Sequence, residues 1–300
     1  MANLLTDTNL AGTPHRGKVR DTYDLGDSLL MVTTDRISAF DVVLPTGIPE
    51  KGVVLSEMSA FWFKQTSDLL PNHLLCMAYE NDKIQELGIS LPTIDRETAR
   101  RGMIIKKAER IDVECIARGY ITGSAWAEYT KSGTVNGTTM PAGLKDSQAF
   151  ETPLFTPTTK AEEGHDMPMS YQELVDMVGT ETAKKLETMT IEAYSWANDF
   201  ANKRGIILAD TKFEFGWIND ELTIIDEMLT PDSSRFWDLS IYEPGRPQPS
   251  FDKQYVRDWL SDAGWDKEPP APGLPDEVVQ KTSATYLEVF EKLTGLTLPT

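Results

Sequence analysis

The chain has 300 residues with 40% hydrophobic and 9% aromatic content, which excludes a disordered chain and allows one large domain or two ordinary ones. Its 29 Lys and Arg residues stand against 47 Asp and Glu residues, a formal net charge of −18, so we expect neither nucleic acid nor an anionic membrane as a partner. The N-terminus lacks a signal-peptide pattern, no apolar run reaches membrane-spanning length, and Cys76 and Cys115 lie outside any CxxC spacing; these features predict a cytoplasmic protein.

Apolar runs of strand length dominate the first third of the chain. They predict three strands, over 28–33, 102–106 and 113–117. The run 56–70 predicts one helix, because its apolar residues recur near one face and Pro71 stops it. Further on, 124–131 predicts a short helix, and the Pro- and Thr-rich run 152–157 predicts an ordered loop.

Helical patterns dominate the remainder. Ser170-Tyr171-Gln172-Glu173 is a capping box that starts a helix ending near Gly179. A longer helix over 180–203 has a predicted buried stripe of Leu186, Ala193, Tyr194, Ala197 and Ala201. The other predicted elements are strands over 206–209, 212–218 and 222–226 and helices over 252–263 and 276–293. This distribution predicts an α+β protein of two lobes, a sheet-rich N-terminal lobe over 1–110 and a larger α+β lobe over 111–300.

The block Gly17-Lys18-Val19-Arg20-Asp21-Thr22-Tyr23 nearly completes a Walker A loop with Gly12. Val19 stands where such a loop needs the hydroxyl that binds Mg²⁺, and the flanking patterns are not strand and helix, so we exclude a P-loop. Lys18 and Arg20 are two residues apart, so on a strand they would point the same way, toward a phosphate. A solvated strand face is the alternative.

Two polar segments follow predicted strands. The segment 33–41 is either a turn held by Asx hydrogen bonds or part of a site. In the segment 113–124, Arg118 ends an apolar run and Ser124 opens the next helix. A helix N-terminus, a hydroxyl and a guanidinium together make a phosphate site. A plain N-cap with a surface charge is the alternative.

The block 209–217 reads Ala-Asp-Thr-Lys-Phe-Glu-Phe-Gly-Trp. Strand alternation places Lys212 and Glu214 on one face and the aromatic side chains on the other. A three-residue loop, 219–221, would set Glu214 directly opposite Asp226 in a hairpin. Like charges so placed need a cation between them, and hard carboxylates near a lysine suit a Mg²⁺–nucleotide site. A Lys–Glu pair on an exposed face is the alternative.

Two of these blocks resemble a known family. The stretches 208–216 and 114–124 are similar to the two fingerprints of the SAICAR synthetases, the phosphoribosylaminoimidazole-succinocarboxamide synthases. Asp112, in a turn, stands where the family usually has Pro. The similarity also covers the Gly17 loop and the segments 35–41, 160–166 and 226–235, and so spans nearly the whole chain.

The resemblance implies an α+β, two-lobed ligase with ATP in the cleft between the lobes. It implies that ATP, an aminoimidazole ribotide carboxylate and L-aspartate are turned into the succinocarboxamide, ADP and phosphate through an acyl phosphate, in purine biosynthesis. The implied cofactor is Mg²⁺ with ATP as co-substrate. The implied partners are small molecules only, and a monomer is favoured over a dimer.

The same resemblance implies residue roles. Lys212 is the catalytic cation, and Glu214 and Asp226 hold Mg²⁺. The residues implied for ATP are Gly17, Lys18, Val19, Arg20 and Lys106. Those implied for the other substrates are Ser38, Asp41, Glu114, Arg118, Ser124, Lys160, Asp232, Ser234 and Arg235. Within that set, the phosphate of the ribotide is assigned to Arg118, Ser124 and Arg235, and the orientation of aspartate and imidazole to Ser38, Asp41 and Lys160.

Two rival functions fit the same residues. A small-molecule kinase on a related scaffold would also need the lysine and the two carboxylates, but it would have no use for aspartate. A nucleotide-binding scaffold would bind ATP without turnover. ADP release that depends on L-aspartate distinguishes the ligase from the kinase. Release of phosphate distinguishes it from the scaffold.

Overall fold

The computed structural model describes residues 4–160 and 166–299; the part of the 160–166 similarity that includes His165 lies outside them. The strands are β1 (His15–Arg16), β2 (Arg20–Asp24), β3 (Ser28–Thr33), β4 (Ser38–Ala39), β5 (Val42–Val43), β6 (Leu74–Met77), β7 (Gly102–Lys106), β8 (Glu109–Tyr120), β9 (Thr134–Val135), β10 (Thr138–Thr139), β11 (Ala149–Phe155), β12 (Thr158–Thr159), β13 (Ile206–Ile218), β14 (Glu221–Ile225) and β15 (Ser234–Asp238). The helices are α1 (Lys51–Gln65), α2 (Asn81–Glu86), α3 (Arg96–Arg100), α4 (Gly123–Ser132), α5 (Tyr171–Val178), α6 (Thr180–Asn202), α7 (Gln254–Asp262) and α8 (Asp276–Thr294).

The strands form two main antiparallel sheets. The first has the order β1-β2-β3-β7-β6 and comes from the N-terminal third. The second has the order β11-β8-β13-β14, with β12 beside β8 and β15 beside β13. The segment after α1 links the two sheets, because the His73 N–H donates to the Ile224 carbonyl and the Ile224 N–H donates to the Pro71 carbonyl. The combination of antiparallel sheets and helices confirms the predicted α+β class.

The main core lies where α1, α6 and α8 cover the sheets. On β13, Phe213 and Phe215 are buried, as strand alternation predicts. The predicted stripe of α6 is confirmed, since all five of its members are buried. Among the described residues, no helix combines the length and apolar character needed to cross a membrane.

Two predictions differ from the structure, the bounds of one helix and the assignment of one segment as a loop. The helix predicted over 56–70 is α1, which begins five residues earlier and ends five residues earlier. The run 152–157 is not a loop, because most of it belongs to β11, the edge strand of the second sheet. Pro153 lies where the register between β11 and β8 shifts, and such an irregular edge position tolerates a residue that has no N–H to donate.

The hairpin of β13 and β14 also differs from the prediction. Its loop has two residues, Asn219 and Asp220, both at positive φ, as tight hairpin turns require and as Asn and Asp tolerate. Glu214 therefore pairs with Ile225 rather than with Asp226. Asp226 follows the strand end at a φ of 65°.

Candidate active site

Two adjoining cavities open between the sheets, and α7 contributes to the wall of the first. The first has a volume of about 640 Å³ and the second about 520 Å³. Seven residues line both, which makes the cavities two compartments of one cleft. These shared residues are Lys18, Ser38, Asp41, Lys212, Asp232, Ser233 and Lys253.

All seventeen residues predicted for the site line this cleft. Those in the first cavity alone are Arg118, Ser124, Ser234 and Arg235. Those in the second cavity alone are Gly17, Val19, Arg20, Lys106, Glu114, Lys160, Glu214 and Asp226. The remaining five, Lys18, Ser38, Asp41, Lys212 and Asp232, belong to the shared set.

Two lysines and two glutamates form a chain of charges across the second sheet. Glu114 on β8 lies directly opposite Glu214 on β13, a pairing of like charges that is destabilising unless a cation intervenes. Lys160 supplies that cation, with Nζ 2.5 Å from Glu214 Oε1 and 3.4 Å from Glu114 Oε1. Lys212 Nζ donates to the same Glu114 oxygen at 2.8 Å. The sequence predicted a pair of opposed carboxylates at Glu214 and Asp226. In the structure, Glu214 instead lies opposite Glu114 on the neighbouring strand.

The pKa shifts in this chain follow from burial and charge. Burial raises the pKa of Glu214, and nearby Asp226 raises it further. Burial acts to raise the pKa of Glu114 as well, but the charge of Lys212 and its hydrogen bond outweigh that effect and lower it. Burial acts to lower the pKa of Lys212, and Glu114 reverses the effect, so this pKa is raised. The lysine therefore remains a cation.

Arg20 organises the other side of the second cavity. Its Nη1 donates to both carboxylate oxygens of Asp226 at 3.0 Å, and its Nη2 lies 2.7 Å from Glu227 Oε1. Burial acts to lower the pKa of Arg20, but the charges of Asp226 and Glu227 outweigh it and raise this pKa. The Gly17 N–H donates to the Arg20 carbonyl, so this loop turns directly into β2. No helix follows, which confirms that the block is not a P-loop.

A buried cluster of two arginines and one aspartate forms the end of the first cavity. Arg118 Nη1 and Arg235 Nη1 donate to the same Asp210 oxygen at 3.2 and 2.5 Å. Arg118 also donates from Nε to Thr156 at 2.9 Å and from Nη2 to Ser124 at 3.3 Å. Burial lowers the pKa of Arg118, and Asp210 acts against this. Two guanidiniums share this one hydrogen-bonded carboxylate, and the charge of Asp252 also acts on Arg235.

A short hairpin carries the remaining N-terminal residues into the cleft. β4 and β5 are joined by Phe40 and Asp41, both at positive φ. Such a backbone is costly for a phenylalanine, and the ring of Phe40 packs against Trp265, with 6.3 Å between centroids. Asp41 Oδ1 accepts from Lys18 Nζ at 2.5 Å.

Asp232 anchors a buried charge cluster in the wall shared by the two cavities. Its Oδ2 accepts from Lys51 Nζ, and its Oδ1 accepts from the Tyr286 hydroxyl, both at 2.8 Å. Lys253 Nζ is 4.0 Å from the same Oδ2. Burial acts to raise the pKa of Asp232, but Lys253 and Lys51 outweigh it, so its pKa lies well below the usual range.

Several lining residues were not anticipated. Glu227 and Asp210 lie in segments that the sequence analysis selected. The predicted site residues Arg20 and Arg118 each need an acidic partner, and this need could have identified Glu227 and Asp210. Lys253 precedes α7 in a segment without any such motif. An apolar wall in the second cavity, formed by Leu29, Met31, Ile105, Ala108 and Ile225, follows no local pattern.

The carboxylates offer a limited set of metal ligands. Across residues 4–160 and 166–299, no group of three or more His, Cys, Asp or Glu side chains is arranged to hold a metal ion by itself. Glu214 and Asp226 line the same cavity, and the charge of Asp226 raises the pKa of Glu214. A cation held here would therefore need oxygens from a ligand in addition to these two carboxylates.

Comparison with known proteins places the chain in a family. Residues 13–272 match the family model described as SAICAR synthetase. A phosphoribosylaminoimidazole-succinocarboxamide synthase of Geotalea uraniireducens is 52% identical over 281 residues, 93% of each chain, and one of Thermodesulfovibrio yellowstonii is 49% identical over 297 residues, 98% of this chain and all of the relative. A solved SAICAR synthase of Saccharomyces cerevisiae, complexed with SAICAR, is 42% identical and superposes with a TM-score of 0.86 over 98% of this chain and 99% of that one. With this sequence and this fold, the chain belongs to the SAICAR synthetase family.

Proposed function

We propose that this ATP-dependent ligase of purine biosynthesis joins L-aspartate to an aminoimidazole ribotide carboxylate through an acyl phosphate, in the two-compartment cleft. The carboxylate oxygen attacks the γ-phosphorus, and ADP leaves with the electron pair of the broken P–O bond. The aspartate amine then attacks the acyl carbon, and phosphate leaves in place of the much poorer oxide. The observation that carries the proposal is the convergence of all seventeen predicted residues on one cleft.

The first cavity is the proposed ribotide site. Arg118, Ser124 and Arg235 would hold the ribotide phosphate, with Ser234 beside them in the wall. A guanidinium presents donors in a planar fork that matches a phosphate. The sharing of the Asp210 carboxylate by two guanidiniums supports this assignment, because a bound anion would neutralise more of their charge.

The second cavity is the proposed ATP site. Gly17, Lys18, Val19 and Arg20 would contact the phosphates from the loop before β2 and its first residue, and Lys106 at the end of β7 lines the same cavity. The apolar side chains of this cavity form a surface on which a purine ring can pack. ATP would lie between the two sheets, which agrees with a division of the chain into lobes near residue 110.

Glu214 and Asp226 are the proposed protein ligands for Mg²⁺ together with ATP phosphates. Mg²⁺ commonly uses one or two carboxylates plus phosphate oxygens and water, and Glu214 and Asp226 both line this cavity. When bound, the ion would neutralise charge on the phosphates. Because Arg20 and Lys160 now pair with these carboxylates, both cations would be released toward the phosphates.

Lys212 is the proposed catalytic cation. It lines both cavities, and so it can face the phosphoryl group as it moves from ATP to the carboxylate. Its hydrogen bond to Glu114 and the core packing of the flanking phenylalanines hold it in place. A charge fixed in advance stabilises the transition state without reorganisation.

Ser38, Asp41 and Lys160 are proposed to orient aspartate and the imidazole, since two of them lie in the shared wall and the third at the Glu114–Glu214 pair. We also propose a cytoplasmic monomer. Cys76 and Cys115 are buried free thiols, in agreement with a reducing compartment.

An assay that omits each substrate in turn tests the function. ADP, phosphate and succinocarboxamide should form in equal amounts only when ATP, the ribotide carboxylate and L-aspartate are all present. Stoichiometric ADP formation with steady turnover in the absence of aspartate would instead identify a kinase. An ¹⁸O label in the ribotide carboxylate should appear in the released phosphate, as an acyl phosphate requires, and its absence would contradict that intermediate.

A further inference from the structure

Lys253 occupies a distinctive position in the cleft. It lies in the wall that the two cavities share, where the proposed acyl phosphate would form. Its side chain is only 12% exposed, and its nearest carboxylate oxygen is Asp232 Oδ2 at 4.0 Å, beyond hydrogen-bonding distance. That oxygen already accepts from Lys51. The amine is therefore buried without a hydrogen-bonded counter-ion.

The other ionisable groups of the shared wall are engaged. Lys18 pairs with Asp41, and Lys212 donates to Glu114. Both oxygens of Asp232 are taken by Lys51 and Tyr286. Among the amines of the shared wall in the described chain, Lys253 alone has no hydrogen-bonded partner, so its nitrogen is the one available to a bound substrate.

The aspartate amine needs such a group. An α-amino group is protonated near neutral pH and has no lone pair with which to attack. We propose that Lys253 Nζ accepts the proton released by the α-ammonium group of L-aspartate as its nitrogen attacks the acyl phosphate. The inference rests on the proposed function. The N–H electron pair stays on nitrogen and forms the C–N bond. The C–O bond to phosphate breaks, and phosphate leaves with the electron pair of that bond and with the second proton of the nitrogen, as HPO₄²⁻, so that the amide nitrogen keeps one hydrogen.

The surroundings of Lys253 suit a proton acceptor. Burial lowers the pKa of Lys253 to about 8 against the attraction of Asp232, and the charges of Arg257 on α7, Lys51 on α1 and Lys212 on β13 act in the same direction as burial. Cationic neighbours and burial are the established means of making a lysine neutral near physiological pH. A general base is most effective when its pKa lies close to the working pH.

Two substitutions separate charge from basicity. Lys253→Arg keeps the positive charge but cannot release its proton at working pH. Lys253→Met removes both the charge and the basic nitrogen. In a single turnover with ATP and the ribotide carboxylate, we expect both variants to form ADP within about twofold of the unaltered rate, and to lose roughly 10²-fold or more in amide formation with aspartate, the scale of general-base catalysis. Lys184→Arg, on the exposed face of α6, is the control for lysine replacement.

Hydroxylamine provides the decisive probe, because it is already neutral at pH 7 and needs no base. Lys253→Arg should trap the acyl phosphate with hydroxylamine at the unaltered rate while remaining slow with aspartate. In the unaltered protein, the rate of amide formation should rise with pH as Lys253 loses its proton, and Lys253→Arg should keep only the part of the rise that comes from deprotonation of the aspartate amine in solution. Melting temperature and ATP binding establish that each variant is folded.

Three results would overturn the inference. Slow ADP formation would place Lys253 in phosphoryl transfer. A raised KM for aspartate with unchanged kcat would make it a binding residue, and equal losses with aspartate and hydroxylamine would mean that it positions the acyl phosphate. Failure of the proposed function is distinguishable, because the unaltered protein would then form no aspartate-dependent product at all.

Discussion

The two compartments of the cleft differ in their balance of charge. The first cavity is lined by seven Lys and Arg side chains and only four Asp side chains, whereas the second has seven cationic and seven anionic side chains. In a chain with a net charge of −18, both compartments are far more positive than the protein as a whole. Only the first, however, carries an excess that an anion can neutralise directly.

The difference indicates two ways of binding a phosphate. In the first cavity, Arg118 and Arg235 already point at one carboxylate and can share an incoming phosphate without losing a partner. In the second, Arg20 and Lys160 are held by carboxylates, so the ATP proposed to bind there would need an additional cation before these two side chains could turn to it. The proposed use of Mg²⁺ follows from this neutral lining.

The largest expected effect is on stability, in the first cavity. Among the described residues, Asp210 is the one carboxylate within hydrogen-bonding distance of Arg118 and Arg235. Asp210→Asn removes it, and leaving buried charges without a partner costs about 3–5 kcal/mol. Glu227→Gln is the matched change in the second cavity, where Arg20 keeps Asp226. We expect its free energy of unfolding, measured by urea titration, to fall less than half as far.

Inorganic phosphate should restore part of the stability of Asp210→Asn, because an anion that binds only the folded state shifts the unfolding equilibrium. Equal losses in the two variants would contradict the difference in charge balance. A lack of response to phosphate would remove the ribotide phosphate from this cavity.

The next effect is on chemistry, at a residue that belongs to both cavities. Lys212→Met should give a folded protein that binds ATP and loses roughly 10²-fold or more in kcat, the scale for removing one preorganised donor. The loss should appear in the first-turnover formation of ADP, measured by rapid quench, with Lys184→Met as the control. A normal ADP burst would assign Lys212 to a later step or to the fold alone.

A smaller effect separates the compartments by substrate. Arg118→Lys keeps the charge but loses the fork that reaches Thr156, Asp210 and Ser124, so the KM for the ribotide should rise about tenfold. The KM for ATP, determined by steady-state kinetics like the KM for the ribotide, should change less than about twofold. Arg110→Lys in the second cavity is the control, since Arg110 pairs on the exposed side with Asp112. Equal changes in both KM values for Arg118→Lys would contradict separate sites.

Local sequence patterns predicted which residues line this cleft better than they predicted which side chains pair with each other. Alternation along β13 correctly placed Lys212 and Glu214 on the cavity face and the phenylalanines in the core, because side chains on a strand alternate with a period of two. The family resemblance supplied residues such as Lys106 and Lys160, whose own surroundings in sequence indicate no chemistry.

Partnerships depend on register and on long-range packing. The hairpin loop is one residue shorter than predicted, which moved Asp226 out of the ladder, and the opposing carboxylate is Glu114 on the other neighbouring strand. The Lys51–Asp232 pair joins residues 181 positions apart. No local period reports such a contact, because it arises from how α1 packs against the loop before β15.

The smallest expected effect concerns a carboxyl outside both cavities, Glu57 on α1. Burial raises its pKa from 4.5 to about 7, against the hydrogen bond from the Tyr79 hydroxyl and the charge of Lys64, and its Oε1 is buried without a hydrogen-bond partner in the described structure. The folded state therefore holds this proton more tightly than the unfolded state, so the free energy of unfolding falls as pH rises from about 4.5 through 7.

Glu57→Gln lacks this titration. It should match the unaltered protein at pH 5 and exceed it by about 1 kcal/mol at pH 8 in urea unfolding, after allowance for partial solvent screening. Its kcat should equal that of the unaltered protein at both pH values, since Glu57 lines neither cavity. A stability gain of the same size at pH 5 would show that packing, not ionisation, is responsible, and a changed kcat would show that charges outside the cleft reach its chemistry.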